Sequence, residues 1–144
     1  MAIANKICNS FKIEILKGVH NFTVTSGDTF NLALYTSSAT LNEDTTVYIT
    51  TNEVATATGY TAKGKALTSV TPVLSGDTAV CDFANVSWTS ASFTSRGCLI
   101  FNDSVATDPA VCAIDFGGDK TVTSGTFTIE FPAPNAGTAI IGIA

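Results

Sequence analysis

GTFTIEFP, residues 125–132, is the cleanest period-two stretch in the chain. Phe127, Ile129 and Phe131 alternate with Thr126, Thr128 and Glu130. An extended backbone puts the three apolar side chains on one face and the polar ones on the other, whereas a helix would split the apolar set. Pro132 ends the strand, because proline has no N–H to give to a ladder. The same alternation recurs upstream. In DTFNLALYT (28–36), Phe30, Leu32 and Leu34 alternate with Thr29, Asn31 and Ala33, which predicts a half-buried strand. KALTSVTPVL (65–74) and DTAVCDFANVSW (77–88) flank Ser75-Gly76-Asp77 and read as a hairpin. SFTSRGCLIFND (92–103) and AVCAIDF (110–116) add strands on either side of a DSVATDP turn. TTVYITT (45–51) is a short strand candidate, GGDKTVTSG (117–125) reads as a loop, and AGTAIIGIA (136–144) is apolar enough to close a sheet edge.

The start of the chain has a different period. Ile3, Ile7, Phe11, Ile15 and Val19 recur every four residues, one stripe of a helix over 3–19. Asn5, Asn9 and Ser10 are alternative N-caps. Gly18 suits the left-handed position after the last turn, with Val19 beside it, and Lys17 suits the negative end of the helix dipole. The expected fold is therefore mainly β, an antiparallel β-sandwich or jelly-roll-like barrel of seven to nine short strands with one N-terminal helix. A length of 144 residues fits a single β domain, with 1–19 as N-terminal arm and helix and 27–144 as the sandwich.

Only 13% of the residues are charged, about half the usual share, and Thr and Ser fill the polar positions. That surface suits a protein packed in an assembly. The net charge of −5 and the scatter of seven Lys and Arg argue against a nucleic-acid partner. No apolar run approaches the ~20 residues of a membrane span, and the first residues lack the pattern of a secretory leader, so synthesis and folding in a cytoplasm are expected. There Cys8, Cys81, Cys98 and Cys112 are expected as thiols, and their spacing fits no zinc motif. The sequons at Asn21, Asn85 and Asn102 then carry no meaning.

Few residues invite chemistry. His20 is the one histidine and follows the helix end. General base work needs a nucleophile and an orienting group, and neither is legible nearby, so a structural role is expected. Gly59, Gly64 and Lys65 match the first part of a phosphate-binding loop. Ala66 stands where its hydroxyl residue belongs, and no helix is predicted after it. Gly117-Gly118-Asp119-Lys120 lacks the ligand series of a calcium loop, and Glu43-Asp44 reads as a solvated pair. Ser124-Gly125 lacks the elbow of a serine hydrolase. Trp88 and Tyr60 could be recognition aromatics, though large aromatics on strands are more often core. No residue is assigned a catalytic, cofactor-binding or metal-binding role.

Taken in order, CNSFKIEILKGVHNF (8–22), GDTFNLALYTS (27–37), GYTAKGKAL (59–67), WTSASFTSRG (88–97) and IDFGGDKTVTSGTFTIEFP (114–132) resemble a family of small virion proteins of tailed bacteriophages. The likeness covers nearly the whole chain. It implies a structural protein of capsid decoration or cement type, bound to the outer head shell in contact with the major capsid protein. Such proteins are homo-oligomers, most often trimers, with no cofactor and no membrane or nucleic-acid partner. A tail, neck or fibre-associated adaptor or receptor-binding module is the alternative. The family carries no catalytic motif to transfer to this chain.

Overall fold

The computed structural model describes residues 2–57 and 59–144. Along the chain lie β1 (Lys6–Ile7), α1 (Asn9–Leu16), β2 (Phe30–Tyr35), β3 (Lys65–Ala66), β4 (Ser69–Ser75), β5 (Thr78–Phe83), β6 (Val86–Asn102), β7 (Ala110–Ile129) and β8 (Ile141–Ile143). They form two open antiparallel sheets, β1-β7-β6-β2-β3 and β4-β5-β8. The fold is mainly β and sandwich-like, with one short helix near the N-terminus.

The strands are not uniformly short. β6 and β7 run 17 and 20 residues and pair along their length, from Val86↔Ile129 to Phe101↔Ala110. GGDKTVTSG, expected as a loop, lies inside β7. Its turn-forming residues serve irregularities instead. Ser95 pairs with Lys120 and Gly97 with Asp115, so residues 116–119 bulge outward, with Gly117 at φ +80°. A second slip sits where Ala91 pairs with Gly125 and Phe93 with Val122, near Ser90 and Ser124, both at positive φ. Bulges of this kind bend a strand without ending it.

β2 is buried on both faces, not half-buried. β6 pairs with all six of its residues, while β3 covers only Asn31 and Leu32 on the other side. Glu53, Val54 and Tyr60 take over the rest of that side. Val54 N–H donates to Leu34 O (2.9 Å), and the Tyr60 hydroxyl accepts from Leu34 N–H (2.9 Å). TTVYITT forms no strand. Val47 makes one isolated bridge to Pro109, and Tyr48 N–H bonds Asp108 O.

The N-terminal helix is shorter than its periodicity predicts. Lys6 and Ile7 pair with Ala113 and Cys112 of β7, and Ile3 bridges to Leu41. The free edge of β7 offers these backbone groups a sheet partner, and tertiary pairing overrides the four-residue period. Cys8 is the N-cap residue without a side-chain cap bond. Of the expected caps, the Asn5 side-chain Oδ1 accepts from Asp115 N–H (2.7 Å), Asn9 bonds Lys12 and Asp44 through its side chain, and Ser10 Oγ has no partner. The C-terminus is as expected. Gly18 has φ +72°, Val19 N–H reaches Glu14 O and Gly18 N–H reaches Ile15 O, a Schellman pair. In the helix only Phe11 is buried, and Leu16 is 89% exposed.

The core has two aromatic centres. Phe11, Phe22, Phe30 and Phe83 join beneath α1, with Phe22 and Phe30 stacked at 4.3 Å. Trp88, Tyr60, Phe93 and Phe127 form the second. Each fully buried ring contributes about 2–3 kcal/mol by leaving water.

Candidate functional site

His20 stands between the C-cap of α1 and the start of β2, with its side chain fully buried. The hydrogen bonds around it fix its tautomer. Ser104 N–H donates to Asn102 Oδ1 (2.9 Å), which orients that amide. Asn102 Nδ2 then donates to Asp28 Oδ2 (2.8 Å) and to His20 Nδ1 (3.2 Å). Nδ1 is therefore the acceptor, and Nε2 carries the proton and donates to Glu14 Oε1 (3.2 Å). The ring packs on Phe11 at 4.9 Å and stacks with Phe30 at 6.1 Å. Both nitrogens are engaged within the protein. The arrangement clamps α1 to the ends of β2 and β6 and leaves the imidazole no nucleophile to activate.

A second, half-buried polar centre surrounds Glu53, a residue the sequence did not single out. Its Oε1 accepts from the Tyr60 hydroxyl (2.7 Å) and from Lys63 N–H (2.8 Å), and its Oε2 accepts from the Tyr48 hydroxyl. Burial, with the carboxylate beside them, pushes the Tyr48 and Tyr60 hydroxyls well above their usual range. Lys63 pairs with Asp103 (2.9 Å) and Asp108 (2.7 Å), which hold its ammonium above the ordinary value, and lies over the Tyr48 ring. This explains the phosphate-loop spacing at Gly59, Gly64 and Lys65. The loop amide at Lys63 already serves a carboxylate, Lys65 Nζ donates to Ser87 O, and the strand β3 follows instead of a helix. Gly64 is required for another reason. A Cβ there would stand 1.8 Å from Leu32 O.

Trp88 and Tyr60 belong to the core, the commoner place for large aromatics on strands. Trp88 is 1% exposed, and Tyr60 is spent on Glu53 and Leu34. The four cysteines are free thiols. Burial raises Cys8 and Cys81 to about 11, and Cys98 and Cys112 are also pushed up. Among the described residues no group of three His, Cys, Asp or Glu could hold a metal, and no helix is long and apolar enough to cross a membrane.

Two stretches of the surface carry apolar side chains. Beyond its two-residue pairing with β1, β7 has no strand partner on its outer side among the described residues. Along that stretch and just past it, Phe116, Val122, Phe127, Ile129 and Phe131, interleaved with Thr121, Thr126, Thr128 and Thr138, line an open groove of about 780 Å³ of mixed apolar and hydroxyl character. Its charged rim residues are Asp119, Lys120 and Glu130. At the far edge of the small sheet, β4 exposes Val70, Val73 and Leu74, the last by 72%. Neither surface was legible in sequence. Alternation marks the two faces of a strand but not which face or edge the tertiary structure leaves uncovered.

A two-sheet β domain with internally satisfied polar centres and apolar open edges is the class these features define. No family model, curated protein or solved structure matches the chain.

Proposed function

We propose that this chain is a structural protein of a bacteriophage virion, a capsid decoration or cement protein that binds the outer head shell. The observation that carries the reading is the groove along β7. It is a long surface of phenylalanine, isoleucine and threonine side chains beside a strand edge that, among the described residues, is paired only at Cys112 and Ala113, a form suited to another polypeptide. The polar centres support it too, since His20 and Glu53 are used up in holding the fold. The resemblance of the five sequence blocks supplies the virion setting. The partner is the major capsid protein, and the chain acts on the outer capsid surface after synthesis in the bacterial cytoplasm. A protein that binds assembled shell in preference to free subunits stabilises the shell by mass action.

The test is the copy number of this chain in purified virions, measured by quantitative mass spectrometry against the major capsid protein. A number comparable to that protein's, or a simple fraction of it, is the expected result. A number typical of one ring or a few fibres moves the chain to the neck or tail. Absence from virions overturns the reading.

A further inference from the structure

The outer edge of β7 is served along its first part and open along its last. Cys112 and Ala113 pair with β1, so this edge already takes an extended segment in antiparallel register. Just beyond, Asn5 Oδ1 accepts from Asp115 N–H (2.7 Å), and Gly117 N–H turns back to Asp115 Oδ1 (3.0 Å). The bulges at 116–119 and near Ser124 then break the line of the strand. From Gly125 to Ile129 β7 itself is regular, and the slip between Trp88 and Ala91 puts its extra residue on β6. Among the described residues, no backbone group of 125–129 makes a hydrogen bond outside the ladder with β6. Thr126, Phe127, Thr128 and Ile129 include no charge and no proline, the usual blocks on a strand edge. The open stretch ends where Phe131 N–H goes to Asn85 Oδ1 (3.0 Å) and Pro132 has no N–H to give. With about 3.3 Å of rise, 4.8 Å to the next strand and 10 Å of sheet thickness, a strand residue fills roughly 160 Å³, so a groove of about 780 Å³ has room for about five.

We propose that 125–129 is a strand-acceptor site, in which an extended, uncharged segment of the major capsid protein, about five residues long, lies in the groove and pairs with β7 through its main chain. Pairing satisfies the open N–H and C=O groups of the edge, and alternate side chains of the segment meet the aromatic and hydroxyl side chains of the groove. The rim favours no net charge. Asp119 is engaged by Arg96 (2.9 Å), and Lys120 and Glu130 are of opposite sign. Thr138, Ala139 and Ile140 line the groove as well. A single arm or loop fits beside them. The β7 edge of a second copy carries the same border, and two borders would hold the edges apart. The inference rests on reading the groove as the surface that meets the shell, and it adds the mode of contact and the kind of segment.

Amide hydrogen exchange with residue-resolved mass spectrometry tests it, on the purified chain alone and on the chain added back to heads stripped of it. The expected result is that exchange at 125–129 slows about tenfold or more on heads, as edge amides gain partners. Thr126→Lys, at an exposed position in the groove, should weaken binding to heads about fivefold, the span of residue preference on strands, with the circular dichroism spectrum unchanged. Thr126→Val, which keeps the β-branch, should bind within about twofold of the parent. A chain that binds heads with exchange at 125–129 unchanged overturns the strand pairing and leaves the shell-binding reading standing. A Thr126→Lys variant that binds like the parent does the same. Slowing at 125–129 in the free chain as its concentration rises would assign the site to a second copy and overturn the proposal. A chain that does not bind stripped heads overturns both this contact and the reading on which it rests.

Discussion

His20 shows how much a single residue depends on partners far away in sequence. Glu14 is six residues off, but Asn102 lies 82 residues away, and both are needed to hold the ring as the Nε2–H tautomer. His20→Ala removes packing on Phe11 and Phe30 and leaves the Asn102 amide short of an acceptor. We expect a loss of about 2–4 kcal/mol in urea unfolding, the sum of a small cavity and an unsatisfied buried group. The thiols give a pH prediction. A thiol whose folded value is raised is protonated in both states below about 9, so it contributes no pH dependence there. Above 9 the unfolded chain ionises first, and stability falls as pH rises towards the folded value of about 11 for Cys8 and Cys81. Each such thiol contributes a slope of up to about 1.4 kcal/mol per pH unit in that window. Urea midpoints measured across it should drop, and Cys81→Ser should make the drop shallower. Trp88, sealed among Tyr60, Phe93 and Phe127, should emit at short wavelength and ignore iodide until the protein unfolds.

At the scale of elements, two glycines with positive φ separate conformational from steric demand. Gly18 ends α1 with open space around the missing Cβ, so Gly18→Ala costs only the left-handed strain, about 1 kcal/mol. Gly64 has a similar φ, but a Cβ there would strike the backbone of β2. Gly64→Ala should cost clearly more than Gly18→Ala and disturb the pairing of Asn31 and Leu32 with β3, which thermal melts and amide exchange of β2 would reveal. The helix cap was readable because a Schellman turn is local. The start of α1 was not. Ile3 and Ile7 have helical spacing, but Cys8 N–H bonds Val111 O and Ala4 N–H bonds Leu41 O, so the arm is held by residues far along the chain. GGDKTVTSG misled for the same reason. Gly117 and Ser124 have turn chemistry, and only the long partner β6 turns it into bulges.

At the scale of the molecule, the two sheets leave a groove along β7 and an exposed hairpin of β4 and β5, on a chain with few charges. Purified heads carrying the protein should withstand heat better than heads stripped of it, and adding the chain back should restore the difference, because a ligand of the assembled form raises that form's stability with its free concentration. Light scattering of heads during a temperature ramp would detect this, and equal melting of bare and replenished heads would count against the shell-binding reading.

Period-two alternation, the turn at Gly76-Asp77, the Gly18 cap and the lack of any spaced catalytic or metal set are local properties, and they determined the β class, the helix end and the expectation of a structural role. Tertiary structure alone decided that Glu53 and Asn102 anchor the polar centres, and that among the described residues β7 has no strand partner on its outer edge beyond β1. Those outcomes depend on which segments meet across the sheets, and a side chain's alternation along one strand holds no information about the strand that will lie beside it.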